Sequence, residues 1–167
     1  MSKIKLKELE VHTVGPLPSL KTSAPDFTVT KNDFTDLTLD DLKGKNVVLN
    51  IFPRIDTAVC AASVREFNQK ASSMKNTTVL CISADLPFAL SRFCGAENIT
   101  DVISASIFRH PEFGEIYGVK MTDGPLKGLL SRAIVVINDS GHVIYTEQVD
   151  NIAHEPDYQK VLDVLPT

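Results

Sequence analysis

The stretch "KNVVLNIFPRIDTAVCAASVREFNQKASSM", residues 45–74, decides the fold. Its first eight residues are a nearly continuous apolar run rich in β-branched side chains, the pattern of a strand covered on both faces. Pro53 ends the strand, because proline has no N–H to give to a ladder. Beyond it, Val64, Phe67, Ala71 and Met74 recur every three or four residues, which predicts a helix with one buried stripe. Cys60 stands where strand hands over to helix, three residues after Thr57. Two readings of it compete. It is a small buried hydrophobe behind a turn and a threonine helix cap. Alternatively it is a nucleophile at the rim of the sheet, its thiolate favoured by the unpaired N–H groups and dipole of a helix's first turn.

Working outward, "TTVLCISA" (77–84) predicts a second buried strand, and "PFALSRFCGAE" (87–97) a helix opened by Pro87 and closed by Gly95. "SRAIVVINDSGHVIYTEQV" (131–149) predicts a hairpin around "NDSG", and "EPDYQKVLDVL" (155–165) a last helix. Upstream, "IKLKELEVHTV" (4–14) predicts a short strand pair, followed by the proline-containing connection "GPLPSLKTSAPDF" (15–27). "FTVTKNDFTDLTL" (27–39) predicts two more short strands around a polar turn. No repeat or linker divides the chain. Residues 1–167 therefore read as one domain, with 1–24 as an N-terminal hairpin extension. The order of elements predicts an α/β, thioredoxin-like sandwich whose central mixed sheet has a parallel and an antiparallel half, flanked by helices. Fold alone assigns no activity.

Composition excludes several classes. The 167 residues are 43% hydrophobic and 23% charged with a net charge of −4, and the Lys and Arg residues are scattered. That argues against nucleic acid or an anionic membrane as partner. No stretch approaches the ~20 apolar residues of a membrane helix. The N-terminal "MSKIKLKELEV" lacks the apolar core and cleavage site of a secretory signal, so the expected location is cytoplasmic, where thiols stay reduced. The four histidines (His12, His110, His142, His154) show no ligand spacing, and Cys60, Cys81 and Cys94 form no Cys-x-x-Cys pair. No metal site is expected. Cys81, between Leu80 and Ile82 in mid-strand, reads as core. Cys94 ends an apolar helical pattern with Phe88, Leu90 and Phe93, and by itself reads as a packed thiol.

Three blocks at consistent spacing resemble one family. "NIFPRIDTAVCAASVREFN" (50–68), with its Pro-x-x-x-Thr-x-x-Cys core, "VLCISADLPFALSRFCGAE" (79–97) and "YGVKMTDGPLKGLLSRAIVVI" (117–137) are similar to the thiol peroxidase branch of the peroxiredoxins. The similarity runs from about residue 25 to the C-terminus. It implies a peroxidase that reduces hydrogen peroxide and organic hydroperoxides without a bound cofactor. Cys60 would be the peroxidatic cysteine, oxidised to a sulfenic acid. Thr57 would hydrogen-bond thiolate and peroxide, Pro53 would shield the site from water, and Arg132 would lie across the pocket. Cys94 would be the resolving cysteine, closing an intramolecular disulfide with Cys60 that thioredoxin reduces. Relatives are homodimers, so a homodimer is expected.

The chemistry suits those residue types. Peroxide cleavage needs an anionic sulfur, and a guanidinium both holds it and donates to the peroxide in a fixed fork. An unresolved sulfenic acid is open to irreversible over-oxidation, which gives a second thiol a purpose. Bridging requires Cα atoms within about 7 Å, so the turns around both cysteines are expected to loosen; Gly95, Ala58, Ala61 and Ala62 permit it. Phe52, Ile55, Val59, Phe93 and Met121 are candidate linings of an apolar pocket, and any of them can equally be core. Two features depart from the family. Arg54 replaces its usual serine, as a loop charge or as added positive potential near Cys60. "KELEV" stands where relatives have a tight glycine turn. A rival reading is a redox-responsive binding protein in which a Cys60–Cys94 switch alters a surface.

Overall fold

The computed structural model describes residues 2–166. Among these residues nine strands and four α-helices follow one another: β1 Ser2–Leu6, β2 Leu9–Thr13, β3 Thr28–Lys31, β4 Asp36–Thr38, β5 Asn46–Ile51, α1 Ala58–Ala71, β6 Thr77–Ser83, α2 Pro87–Glu97, β7 Ile103–Ser106, α3 Phe113–Ile116, β8 Ala133–Ile137, β9 Val143–Gln148 and α4 Tyr158–Val164. β1 and β2 form a separate antiparallel hairpin, and the other seven strands form one sheet in the order β4-β3-β7-β6-β5-β8-β9. β5, β6 and β7 are parallel neighbours, whereas β8, β9, β3 and β4 join antiparallel. This is the mixed sheet expected from the order of elements.

Every residue of β5 is buried, because both faces of the sheet are covered. Alternate residues point to opposite layers. Val47, Leu49 and Ile51 face one layer with Leu80, Ile82, Val135 and Ile137. There they meet an aromatic cluster in which Phe27 packs edge-on to Phe113 at 5.7 Å and Phe113 stacks on Tyr117 at 4.8 Å. Val48 and Phe52 face the other layer, under Val64 and Phe67 of α1, Leu90 of α2 and Val161 of α4. Phe67 and Tyr158 pack edge-on at 5.2 Å, tying α1 to α4.

Two boundaries differ from expectation. Gly95 lies inside α2, and the helix ends at Asn98, whose φ of 55° is left-handed and whose N–H bonds the Cys94 carbonyl. Asparagine tolerates that conformation almost as glycine does. α1 ends at Ala71, so Met74 joins the core from the turn beyond it. β7 and α3 were not foreseen. "ISAS" is too short and too rich in small residues to stand out as an apolar run, and α3 is a single turn.

The hairpin is docked rather than free. Ile4 and Val11 pack with Met121 and Ile152, Lys5 N–H donates to Asp150 O at 2.7 Å, and Ile152 N–H donates to Lys5 O at 2.9 Å. Its two-residue turn holds Lys7 at φ 57° in place of a glycine. Phe67 carries the contact between α1, α4 and the sheet, so Phe67→Ala is expected to cost about 3–5 kcal/mol in chemical denaturation.

Candidate active site

β5 runs into a loop, residues 52–57, that is strapped to the end of β6. Ile55 N–H donates to Asp85 Oδ2 at 2.7 Å, and the Ser83 hydroxyl donates to the same oxygen at 2.6 Å. Pro53 is buried in this loop. Thr57 then opens α1 in extended geometry as its N-cap. Its Oγ1 accepts from Cys60 N–H at 3.4 Å, and its hydroxyl donates to Arg54 O at 3.3 Å. The threonine thus caps the helix that carries the cysteine.

Cys60 is 1% exposed and Arg132 is 1% exposed. Arg132 stands immediately before β8, its carbonyl fixed by Val149 N–H at 3.0 Å and Gln148 Nε2 at 2.9 Å. Its guanidinium reaches across the layer: Nη2 donates to Cys60 Sγ at 3.2 Å and Nε to Ile152 O at 2.8 Å, while Nη1 has no partner. Among the described residues no carboxylate forms a salt bridge with Arg132. A buried guanidinium without a counter-charge costs several kcal/mol. Among the described residues the Cys60 sulfur is the one side chain that accepts a hydrogen bond from this guanidinium, in the fixed fork geometry that an arginine offers.

The other two thiols have different company. Cys94 is half-buried on α2, with its Sγ 3.2 Å from Ser104 Oγ on β7. Cys81 is fully buried, receives Asn50 Nδ2 at 3.6 Å, and is pushed up to about 12 by burial. All three cysteines are free. Cys60 and Cys94 belong to the same apolar layer but are held by different partners, and both helices are intact around them.

Of the candidate pocket residues, Phe52, Ile55 and Phe93 share the layer of Cys60, and Val59 is half-buried beside it in sequence. Met121 does not belong there; it packs beneath the hairpin. Arg54 is half-exposed and pairs with Asp56 at 2.9 Å, so its charge is balanced locally and the loop-charge reading fits. Sequence reasoning missed Asp85 and the Ile152 carbonyl. An acid two residues past a buried strand is a signal for the first, whereas a backbone carbonyl leaves none. Among the described residues no group of three His, Cys, Asp or Glu side chains is placed to hold a metal ion, and no helix is long and apolar enough to cross a membrane.

Comparison with known proteins adds to this geometry. Residues 20–162 match the family described as Redoxin. The chain belongs to the redoxin family. It is 52% identical over 165 residues to a thiol peroxidase from Mycobacterium tuberculosis, covering 99% of both chains. The crystal structure of a peroxiredoxin-like protein from Aquifex aeolicus superposes with a TM-score of 0.91 at 36% identity, over 96% of this chain and 94% of that one. A thiol peroxidase from Chromobacterium violaceum superposes at 0.90, over 97% and 94%, but at 20% identity this likeness speaks for the fold alone. Within the redoxins, the chain therefore stands with the thiol peroxidases among the peroxiredoxins.

The environment of Cys81 makes it the inert thiol of this redoxin. Alkylation of the reduced native protein at pH 8 is expected to leave Cys81 unmodified until the protein is unfolded, as read by peptide mass mapping.

Proposed function

We propose that this chain is a thioredoxin-dependent peroxidase that reduces hydrogen peroxide and organic hydroperoxides at Cys60. The observation that carries the reading is the buried Arg132 fork, with Nη2 on the sulfur and Nη1 unspent. One arm donates to the sulfur, and the other is free to donate to a peroxide oxygen. The thiolate attacks one oxygen of R–O–O–H, the O–O bond breaks, Cys60 becomes a sulfenic acid, and the departing RO⁻ takes up a proton to leave as ROH. Negative charge moves from sulfur to the departing oxygen, and a guanidinium fixed beside both stabilises that transfer without having to reorient.

Thr57 and Pro53 have supporting roles in this scheme. The 3.3 Å bond from the Thr57 hydroxyl to Arg54 O is long, so turning that hydroxyl toward an incoming peroxide is cheap. Pro53 closes the loop side of the sulfur with a ring that offers water no N–H. Phe52, Ile55, Val59 and Phe93 supply an apolar surround that favours alkyl hydroperoxides.

Resolution follows. The Cys94 thiol attacks the sulfenic sulfur, a Cys60–Cys94 disulfide forms and water leaves. A thioredoxin dithiol then reduces the bridge by exchange. Such a cycle calls for a reducing compartment, and we place the protein in the cytoplasm. A homodimer is supported by an exposed aromatic cluster, in which Phe34 packs at 4.9 Å on Phe88 (68% exposed) and at 6.2 Å on Phe108.

Thioredoxin-coupled consumption of cumene hydroperoxide and hydrogen peroxide tests the scheme. Cys60→Ser is expected to be inactive. Cys94→Ser should form one sulfenic acid per chain yet fail to turn over with thioredoxin. Arg132→Met should slow oxidation of Cys60 by roughly 10²–10³-fold, the usual loss of an oxyanion donor. Full turnover by Cys60→Ser would remove the reading. Phe88→Glu is expected to shift a dimer to monomer in analytical ultracentrifugation.

A further inference from the structure

One polar side chain in the apolar layer under α1 has no role in the scheme above. Asn50 is fully buried in β5, between Val48 and Phe52 on the same face of the strand. Its Nδ2 donates to Ser63 Oγ at 3.2 Å and, more weakly, to Cys81 Sγ at 3.6 Å, while its Oδ1 has no partner. Ser63 in turn donates its hydroxyl to the Cys60 carbonyl at 2.8 Å. A continuous polar link therefore runs from the sheet, through Ser63, to the backbone of the nucleophile's own turn.

Such a link is costly to maintain. A valine at position 50 would extend the surrounding apolar layer and leave no buried oxygen without a partner. What the amide gains is a fixed position for the first turns of α1. Those turns must yield before Cys60 can reach Cys94, which is held on another helix against Ser104. When they yield, the Ser63–Asn50 bond parts and the amide becomes accessible to water, which satisfies the oxygen the closed state leaves bare.

We propose that Asn50 is a positioning residue for the resolving step, acting through Ser63 as a latch on the turn that carries Cys60. The Arg132 contact alone holds the sulfur while peroxide is cleaved, whereas the latch sets how readily the turn opens and the sulfenic acid swings out to Cys94. Releasing it speeds disulfide formation and lowers the share of Cys60 over-oxidised to the sulfinic acid. The proposal rests on the peroxidase reading of Cys60 and Cys94.

Rapid-quench mass spectrometry with dimedone trapping reads sulfenic acid formation and disulfide formation separately. In Asn50→Val, the second step is expected to accelerate roughly two- to tenfold, the worth of one buried hydrogen bond, with the first step unchanged. The acceleration should persist in a Ser63→Thr background, which keeps the hydroxyl, and vanish in Ser63→Ala, which lacks it. An unchanged second step, equal changes in both steps, or the same acceleration by Asn50→Val in the Ser63→Ala background would overturn the latch. Amide exchange in the reduced protein tests it without peroxide: Ala61–Val64 should exchange faster in Asn50→Val while α4 does not, and unaltered exchange there would also overturn it. Failure of the wild type to form a sulfenic acid would instead strike the peroxidase reading, and the exchange result would stand apart from it.

Discussion

The contact between Arg132 and Cys60 is the constraint around which the rest of the fold is arranged. Both groups are buried, they lie 72 residues apart in sequence, and their 3.2 Å approach needs two elements to be positioned independently. The sulfur is placed by β5, the strapped loop and the Thr57 cap. The guanidinium is placed by β8, whose register against β5 pairs Ile51 with Ala133, the residue after Arg132. A one-residue slip of that pairing would turn the arginine to the other face of the sheet. Antiparallel pairing of β8 with β5 is thus part of the chemistry as well as of the core.

The N-terminal hairpin belongs to the same arrangement. Ile152 O accepts from Arg132 Nε, and Ile152 N–H is in turn fixed by Lys5 O of β1. Desolvation makes each guanidinium contact matter, because a buried donor left without an acceptor costs about 1–3 kcal/mol or more when charged. The hairpin therefore steadies the loop that orients Arg132, although it lies outside the seven-stranded sheet. A segment that looked like a peripheral extension is mechanically connected to the candidate active site through one backbone carbonyl.

How much of this the sequence revealed depended on the length of each signal. β5, β6 and β8 announce themselves as runs of Val, Ile and Leu, and the start of α2 is legible to the residue because Pro87 marks it. β7 escaped because Ile103–Ser106 borrows its burial from β6 and β3 rather than from its own side chains. Gly95 misled because glycine is the commoner helix terminator, yet Asn98 takes the left-handed position here. The residues alone left Cys60 undecided between core and nucleophile. Only the three-block resemblance pointed from it to Arg132, since no local pattern announces a contact formed across the sheet. Thr57 showed the reverse: a cap and a functional hydroxyl are compatible, and the structure displays the cap.

The three cysteines show how one apolar layer holds three different sulfurs. All three lie in or against the same cluster, Cys60 and Cys81 buried and Cys94 half-buried at its margin, so the apolar layer alone does not give them their roles. Their polar neighbours do. Cys60 accepts a hydrogen bond from a buried guanidinium. Cys81 meets only the weak donor Asn50 at 3.6 Å, too little to offset complete desolvation, and stays protonated up to about 12. Cys94 faces the Ser104 hydroxyl, a neutral group that can donate to or accept from the thiol. Reactivity in this fold is therefore assigned by single polar side chains projecting from the sheet at chosen positions, while the surrounding apolar packing raises the energetic weight of each of them.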